Sequence, residues 1–436
     1  MLSFPPNFLW GAATAAHQVE GQNSNSDWWN WEQTPGHIKN GDSSRVACDW
    51  WAGGRWREDF DRARALGMNA QRVGIEWARL EPHQGEWNAH ATAFYREMIS
   101  GLRERGLEPF VTLHHFTSPQ WVAERGGFEN PEISQWIARY AERAAREFGA
   151  LVNYWITINE PNVYAYQCYL AGVWLAQKKD FGAFLRVLKN ALRAHAAMYH
   201  AVKRAQPEAQ VGYAHHWRVF EPYNSRSPLD RLMAGLRTRV FGKALMSAIE
   251  QGRLVLPLGW DESIPEARGT QDFLGVNYYY QEYTAFDLSN PGDVFARSVY
   301  DPDVKRLQQF FEGAGNLHPD AFRDLLIRLK KYNKPIYITE NGFVETDRDD
   351  QTRYLITHLQ AVNEAIQRGV DVRGYFWWSL LDNFEWSEGY TPRFGLYHTE
   401  YETQARTLKK AGTLYEKIVR ANGITKELTE QHGRAN

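Results

Sequence analysis

Val152-Asn-Tyr-Trp155-Ile-Thr-Ile-Asn159-Glu160-Pro161 is an apolar, β-branched run that stops on an amide, a carboxylate and a proline. Such a run suits a strand buried on both faces, and glutamate is disfavoured inside strands. Residues 152–159 are therefore predicted to form a strand with Glu160 at its C-terminal edge. Seven more runs read the same way, at 8–14, 69–76, 108–115, 210–217, 272–278, 335–339 and 372–379. Helical patterns lie between them, at 93–106, 131–149, 181–206, 230–252, 319–333 and 351–369. In 319–333, Phe322, Leu325, Leu326 and Leu329 fall on one helix face, and Pro319 suits the first turn. Eight strands alternating with helices predict an α/β fold, a closed (β/α)8 TIM barrel occupying residues 1–436 as a single domain. An open doubly wound sheet usually opens with a glycine-rich phosphate turn, and no G-x-G-x-x-G follows any of these runs.

Composition narrows the function classes. Lys plus Arg total 50 and Asp plus Glu total 52 in 436 residues, so no basic excess attracts nucleic acid or an anionic membrane surface. No run of about 18 apolar residues exists to span a bilayer. Met1–Trp10 has neither the basic start nor the uninterrupted apolar core of a signal peptide, so cytoplasmic residence is the expectation. Cys48 and Cys168 form no disulfide framework and no metal spacing. Aromatics are unusually frequent, with 18 Trp, 22 Tyr and 22 Phe. They suit either core packing or the walls of a sugar site.

A barrel places its chemistry at the C-terminal ends of its strands. Those ends are polar throughout: Gln18 shortly after the first run, Arg72 and Glu76, His114-His115, Asn159-Glu160, His215-His216, Asn277-Tyr-Tyr279, Glu340-Asn341 and Trp378-Ser379. Loops at about 16–60, 160–181, 280–318 and 380–407 are long, as functional loops are. Neighbouring strand residues point to opposite faces. Neither His pair can therefore jointly bind a metal in the barrel, and only one of Trp377 and Trp378 can face the pore. Glu160 and Glu340 each follow an apolar run directly, on the fourth and seventh strands. Two carboxyls facing across a barrel mouth are the equipment for glycoside hydrolysis, one protonated and one ionised.

These residues carry a resemblance. The chain resembles glycoside hydrolase family 1, the retaining β-glycosidases, over essentially its whole length. The matching segments are 8–21, 72–77, 112–116, 157–161, 277–279, 338–342 and 378–386. The resemblance implies that Glu160 is the general acid/base and Glu340 the nucleophile, with carboxyls about 5–5.5 Å apart as retention requires. It implies that Arg72 and Tyr279 hold Glu340 ionised, lowering its pKa, and it includes Asn277 in that support. Asn159 would touch the 2-hydroxyl. Gln18, His115, Glu385 and Trp386 would read the other hydroxyls, with Trp378 as the floor under the ring. The implied substrate is a neutral β-glycoside or oligosaccharide, best a β-glucoside, with no cofactor and no metal. Glu385, in Glu385-Trp-Ser-Glu388, would repel a 6-phosphate. The alternatives are a transglycosylase using the same residues and a non-catalytic sugar-binding barrel.

Two departures fall at the aglycone side. His115-Phe-Thr-Ser-Pro119 replaces the common His-Trp-Asp-Leu-Pro, and Gly172-Val-Trp174-Leu-Ala-Gln177 replaces Gly-x-His-Ala-Pro-Gly. Trp121 and Trp174 are the candidate entrance aromatics. The early cluster Trp28, Trp29, Trp31, Trp50, Trp51 and Trp56 is read as core and loop packing.

Overall fold

The computed structural model describes residues 1–290 and 295–432. Positions 291–294 of the expected 280–318 loop and the last four residues of the expected 1–436 domain lie outside the described residues. Eight parallel strands close into one barrel. They are β1 (Leu9–Ala13), β2 (Ala70–Gly74), β3 (Glu108–His114), β4 (Tyr154–Asn159), β5 (Gln210–His216), β6 (Leu274–Asn277), β7 (Ile336–Asn341) and β8 (Val372–Trp378). All eight expected strands are present. β7 runs on to Asn341, so Glu340 lies within it rather than beyond it.

The surrounding helices are α1 (Trp56–Ala65), α2 (Ala89–Glu104), α3 (Ile133–Phe148), α4 (Phe181–Ala205), α5 (Ala244–Gln251), α6 (Pro319–Leu329), α7 (Asp350–Gln367) and α8 (Lys410–Ala421). α2 starts earlier than its apolar pattern because the Asn88 side chain caps the backbone N–H groups of His90 and Ala91. α1 and α8 are additional to the expected set. α1 carries a thin apolar stripe, with only Trp56, Phe60 and Ala63 of its apolar residues buried, which is why its period is faint. The single helix expected over 230–252 is corrected. A helix over Pro228–Thr238 passes through a π-turn, Arg239–Lys243, before α5. That turn sets Phe241 against Phe220 and brings its carbonyl to the Asn162 side chain.

The inside of the barrel is filled in two layers. The lower layer is aromatic. Phe110 stacks on Tyr154 at 4.2 Å and meets Phe376 at 4.7 Å and Tyr337 at 5.1 Å, while Phe273 closes the group at 5.3 Å from Tyr337. Three glycines make room for these rings. A Cβ on Gly11 would lie 2.7 Å from Phe376, one on Gly212 2.8 Å from Phe273, and one on Gly374 2.9 Å from Tyr337. Part of the aromatic surplus is thus the barrel's own floor.

The upper layer is polar, and irregular strand ends create it. Strict alternation would send Asn159 and Glu160 to opposite faces. The pairing of β4 with β5 shifts between Ile156 and Asn159, and that of β7 with β8 shifts between Ile338 and Asn341. Irregularities of this kind re-aim side chains. Glu160 adds a left-handed backbone, φ 43°, before Pro161 opens a short helix. A non-glycine residue there costs of order 1–3 kcal/mol, and such strain persists only where the surroundings over-determine it.

The packing of the floor is testable. Gly212→Ala places a methyl against both the Phe273 ring and its carbonyl. It should cost about 1–3 kcal/mol, the usual range for overpacking. The melting temperature in calorimetry should fall, and pairing the change with Phe273→Leu should recover part of the loss. An unchanged melting temperature would show that the floor is loosely packed.

Candidate active site

The sites at the strand ends meet in a cavity of about 340 Å³ above the aromatic floor. His115, Asn159, Glu160, Tyr279, Glu340, Trp378, Glu385 and Trp386 line it, as does Trp174. At its base lies Arg72, whose side chain is fully buried. Its Nε donates to Thr112 Oγ1 at 3.0 Å. Nη1 donates to the Thr339 carbonyl at 3.1 Å and to Glu340 Oε1 at 2.6 Å. Nη2 donates to Asn159 Oδ1 at 2.7 Å. The second Glu340 oxygen accepts from the Tyr279 hydroxyl at 2.6 Å.

The Asn159 amide is oriented by this cation. Its oxygen accepts from Arg72 and from Asn277 Nδ2, the latter at 3.1 Å. Its Nδ2 therefore donates, 3.0 Å to His115 Nε2. An acceptor Nε2 puts the His115 proton on Nδ1. Burial and the Arg72 charge hold this imidazole well below its ordinary pKa, so it is neutral. Its Nδ1 is buried without a protein partner and remains for a ligand. Asn277 Nδ2 also donates to Glu160 Oε1 at 2.8 Å, and Asn277 Oδ1 accepts from Thr339. One hydrogen-bond path thus joins the two carboxyls: Glu340, Arg72, Asn159, Asn277, Glu160.

Glu160 and Glu340 differ in electrostatics. Burial raises Glu340, Arg72 opposes it, and the Glu160 charge adds to it, leaving Glu340 pushed up to about 7. As expected, Arg72 and Tyr279 each act to lower it. Both contacts exist, but burial and the second carboxylate outweigh them. Burial also works to raise Glu160. The charge and hydrogen bond of His216, with Asn277 and Arg72, instead bring it below its ordinary range. The charge contribution from His216 exists only while that ring is protonated. With a neutral ring, the 2.6 Å contact of Glu340 with a permanent cation decides which carboxyl is ionised.

The remaining expected residues sit around this centre. Gln18 is fully buried, and its Nε2 lies within hydrogen-bonding distance of the Phe384 carbonyl (2.7 Å), Asn383 Oδ1 (2.9 Å) and Glu385 Oε2 (3.0 Å). It holds Glu385 in place, and its Oε1 has no partner. Burial and the charge of Glu388 push Glu385 well up. Trp386 is sandwiched between His17 at 5.7 Å and His115 at 5.8 Å, with Trp28 against it at 4.7 Å. Trp378 faces the cavity, whereas Trp377 points away and donates to the Phe394 carbonyl. His115 and His216 line the cavity. His114 turns out to Ser118, and His215 packs on Trp217.

Trp174 lines the cavity as expected and donates to Ser387 Oγ at 3.1 Å. Phe116 fills the neighbouring wall, 5.1 Å from both Trp174 and Trp386. Trp121 is corrected: it lies outside the cavity wall, buried against Trp77 and Trp136, with its Nε1 donating to the Glu81 carbonyl. Sequence reading passed over Thr112, and it gave His216 no role. His216 Nδ1 lies 3.0 Å from Glu160 Oε1. Its position at the end of β5 was the available signal.

The family model described as Glycosyl hydrolase family 1 matches residues 1–424. Beta-glucosidase A of Thermotoga maritima is 35% identical over 448 aligned residues, covering 97% of this chain and 98% of the relative. The solved beta-glycosidase from Pyrococcus horikoshii superposes with TM-score 0.90 at 35% identity, covering 100% and 99% of the two chains. The Thermotoga maritima beta-glucosidase in complex with glucoimidazole gives TM-score 0.89 at 34% identity, covering 97% of this chain and 100% of that one.

The carboxyl network predicts a titration shift. The Tyr279 hydroxyl favours ionised Glu340. Tyr279→Phe should therefore move the Glu340 ionisation to higher pH, read by NMR of a 13C-glutamate-labelled sample. A downward shift, or none, would show that the hydroxyl does not stabilise the carboxylate.

Proposed function

The chain belongs to glycosyl hydrolase family 1, and on that premise we propose that it hydrolyses terminal β-D-glucosides with retention, through Glu340 as nucleophile and Glu160 as acid/base. It is a hydrolase of O-glycosyl bonds. The observation that carries the assignment of roles is the asymmetry of the two carboxyls. Glu340 alone touches a permanent cation, through Arg72 Nη1, and takes a second bond from Tyr279. An ionised, doubly held oxygen pair is the nucleophile. Glu160 receives both of its hydrogen bonds on Oε1, which leaves Oε2 to the substrate.

The steps follow. Glu340 attacks the anomeric carbon while Glu160 gives its proton to the departing aglycone oxygen. The C–O bond breaks, and a glycosyl ester forms on Glu340. Water then gives its proton to Glu160 and its oxygen to the anomeric carbon, releasing Glu340 and restoring the sugar with its original configuration. Asn159, His115, Gln18, Glu385 and Trp386 bind the sugar hydroxyls, and Trp378 is the surface on which the ring rests. Trp174 and Phe116 shape the aglycone side. Residues 1–436 act as one catalytic domain on a neutral glycoside or oligosaccharide. Cytoplasmic residence belongs to the same reading, supported by Cys48 and Cys168 being buried free thiols.

Three experiments check this. Glu340→Ala should reduce turnover of every aryl β-glucoside by at least about 1,000-fold, and near-normal turnover would remove Glu340 from the nucleophile role. Glu160→Gln should slow kcat/KM for a glycoside with a poor leaving group by about 100-fold or more. It should spare kcat/KM for a dinitrophenyl glucoside, which needs no protonation. Equal slowing of both would overturn the acid assignment. NMR of the first-formed sugar should show the β-anomer, and an initial α-anomer would exclude retention.

A further inference from the structure

His216 ends β5, with its ring bordering the cavity and its Nδ1 3.0 Å from Glu160 Oε1. Its surroundings fix the ring. It stacks on Tyr279 with centroids 5.8 Å apart and planes 17° apart, and it meets the edges of Phe241 and Tyr280. Its backbone carbonyl accepts from Asn162 Nδ2 at 2.9 Å. The same Tyr279 ring carries the hydroxyl that holds Glu340. His216 therefore stands against both halves of the carboxyl pair, directly on one and through a stacked ring on the other.

The hydrogen count assigns the direction of the Glu160 contact. Asn277 Nδ2 can only donate, so Glu160 Oε1 is an acceptor at 2.8 Å. A proton on that same oxygen would crowd the Asn277 amide and would require His216 to carry its proton on Nε2. Nε2 is buried and has no protein partner with either tautomer, so the two contacts at Oε1 decide the assignment. A proton on Nδ1 satisfies both contacts. Oε1 then accepts twice, and any proton carried by Glu160 is forced onto Oε2, the oxygen left to the cavity.

The geometry points to His216 as a positioning residue for the acid/base step: its Nδ1–H, with Asn277, occupies Glu160 Oε1 and so delivers the acid proton from Oε2. The same donor steadies the carboxylate that remains once the proton has left with the aglycone. No atom of His216 is consumed. The charged and titratable groups around the ring are Glu160, Tyr279, Tyr280, Arg218 and His215, with Glu340 behind Tyr279. The inference rests on Glu160 being the acid/base.

The test compares two variants. His216→Phe keeps a stacking ring and removes the donor. His216→Asn places an amide N–H close to where Nδ1 was. In His216→Phe, kcat/KM for a poor-leaving-group glucoside should fall roughly 10- to 100-fold, the range for a hydrogen bond to a charged group. For a dinitrophenyl glucoside it should change by less than about 3-fold. Losing a donor to the carboxylate raises Glu160, so the alkaline limb of kcat/KM should move to higher pH. His216→Asn should recover most of the poor-leaving-group rate and return the limb towards its original place.

Equal losses on both substrates, or an Asn variant no better than Phe, would overturn the proposal. If the Phe variant does not fold, an Asn variant with an alkaline limb shifted as far as that of a donor-less Ala variant would overturn it too. Glu160→Gln run alongside separates the two failures. If that variant slows both substrates equally, the acid assignment itself falls. If it behaves as an acid variant and the His216 pair does not differ, only the role of His216 falls.

Discussion

The constraint that organises the molecule is a positive charge that cannot leave. Arg72 projects from β2 into the barrel, and its side chain has no solvent exposure. Burying a guanidinium without partners costs several kcal/mol, and removing one partner of a buried pair leaves that cost uncompensated. Its four hydrogen bonds are drawn from β3, β4 and β7: Thr112, Asn159, and the Thr339 carbonyl together with Glu340. Those strands must therefore end at fixed heights relative to β2. The Asn159 amide can then point only one way, which in turn decides the tautomer of His115 and the oxygen of Glu160 that Asn277 occupies. Side chains that never touch Arg72 inherit their orientation from it.

The aromatic floor makes that network rigid. Phe110, Tyr154, Phe273, Tyr337 and Phe376 close the barrel below the polar layer and keep water from reaching Arg72 from beneath. A dry floor strengthens every interaction above it, attractive or repulsive. This is why Glu340 can sit 2.6 Å from a guanidinium and still be raised. Desolvation and the second carboxylate are amplified by the same low dielectric that amplifies the ion pair.

Much of this was legible in the chain, for reasons that also set the limits. The eight strands are apolar runs buried on both faces, so their composition marks them without periodicity. Glu160 and Glu340 stood out because glutamate is disfavoured in strands and each directly follows an apolar run. Strand alternation correctly put His114 and His115, and Trp377 and Trp378, on opposite faces, and the resemblance named which of each faces the pore. Alternation would have failed for Asn159 and Glu160, because a register shift has no sequence signature as plain as alternation. α1 escaped notice because few of its residues are buried, and Trp121 was misplaced because a tryptophan in a loop reads the same whether it faces a cavity or two other indoles. The direction of the Glu340 shift was beyond sequence for another reason. Contacts can be matched to motifs, but the balance between a contact and its desolvation is a property of the packed cavity.

The near-neutral composition turns out to say little about the substrate, because the local field does not follow the net charge. Glu160, Glu312, Glu340, Glu385 and Glu388 all border the cavity, and besides Arg72 at its base Arg218 is the one lysine or arginine among the described residues that line it. That arginine is already neutralised by Glu282 at 2.7 Å. Burial and mutual repulsion raise Glu385, and burial with the nearby Glu312 pushes Glu388 up to about 7. A negatively charged ligand would raise these groups further. A neutral sugar does the opposite: its hydroxyls donate to the carboxylates and favour their ionised forms. The acidic wall therefore selects for uncharged, donor-rich substrates by the same electrostatics that sets the two central carboxyls apart.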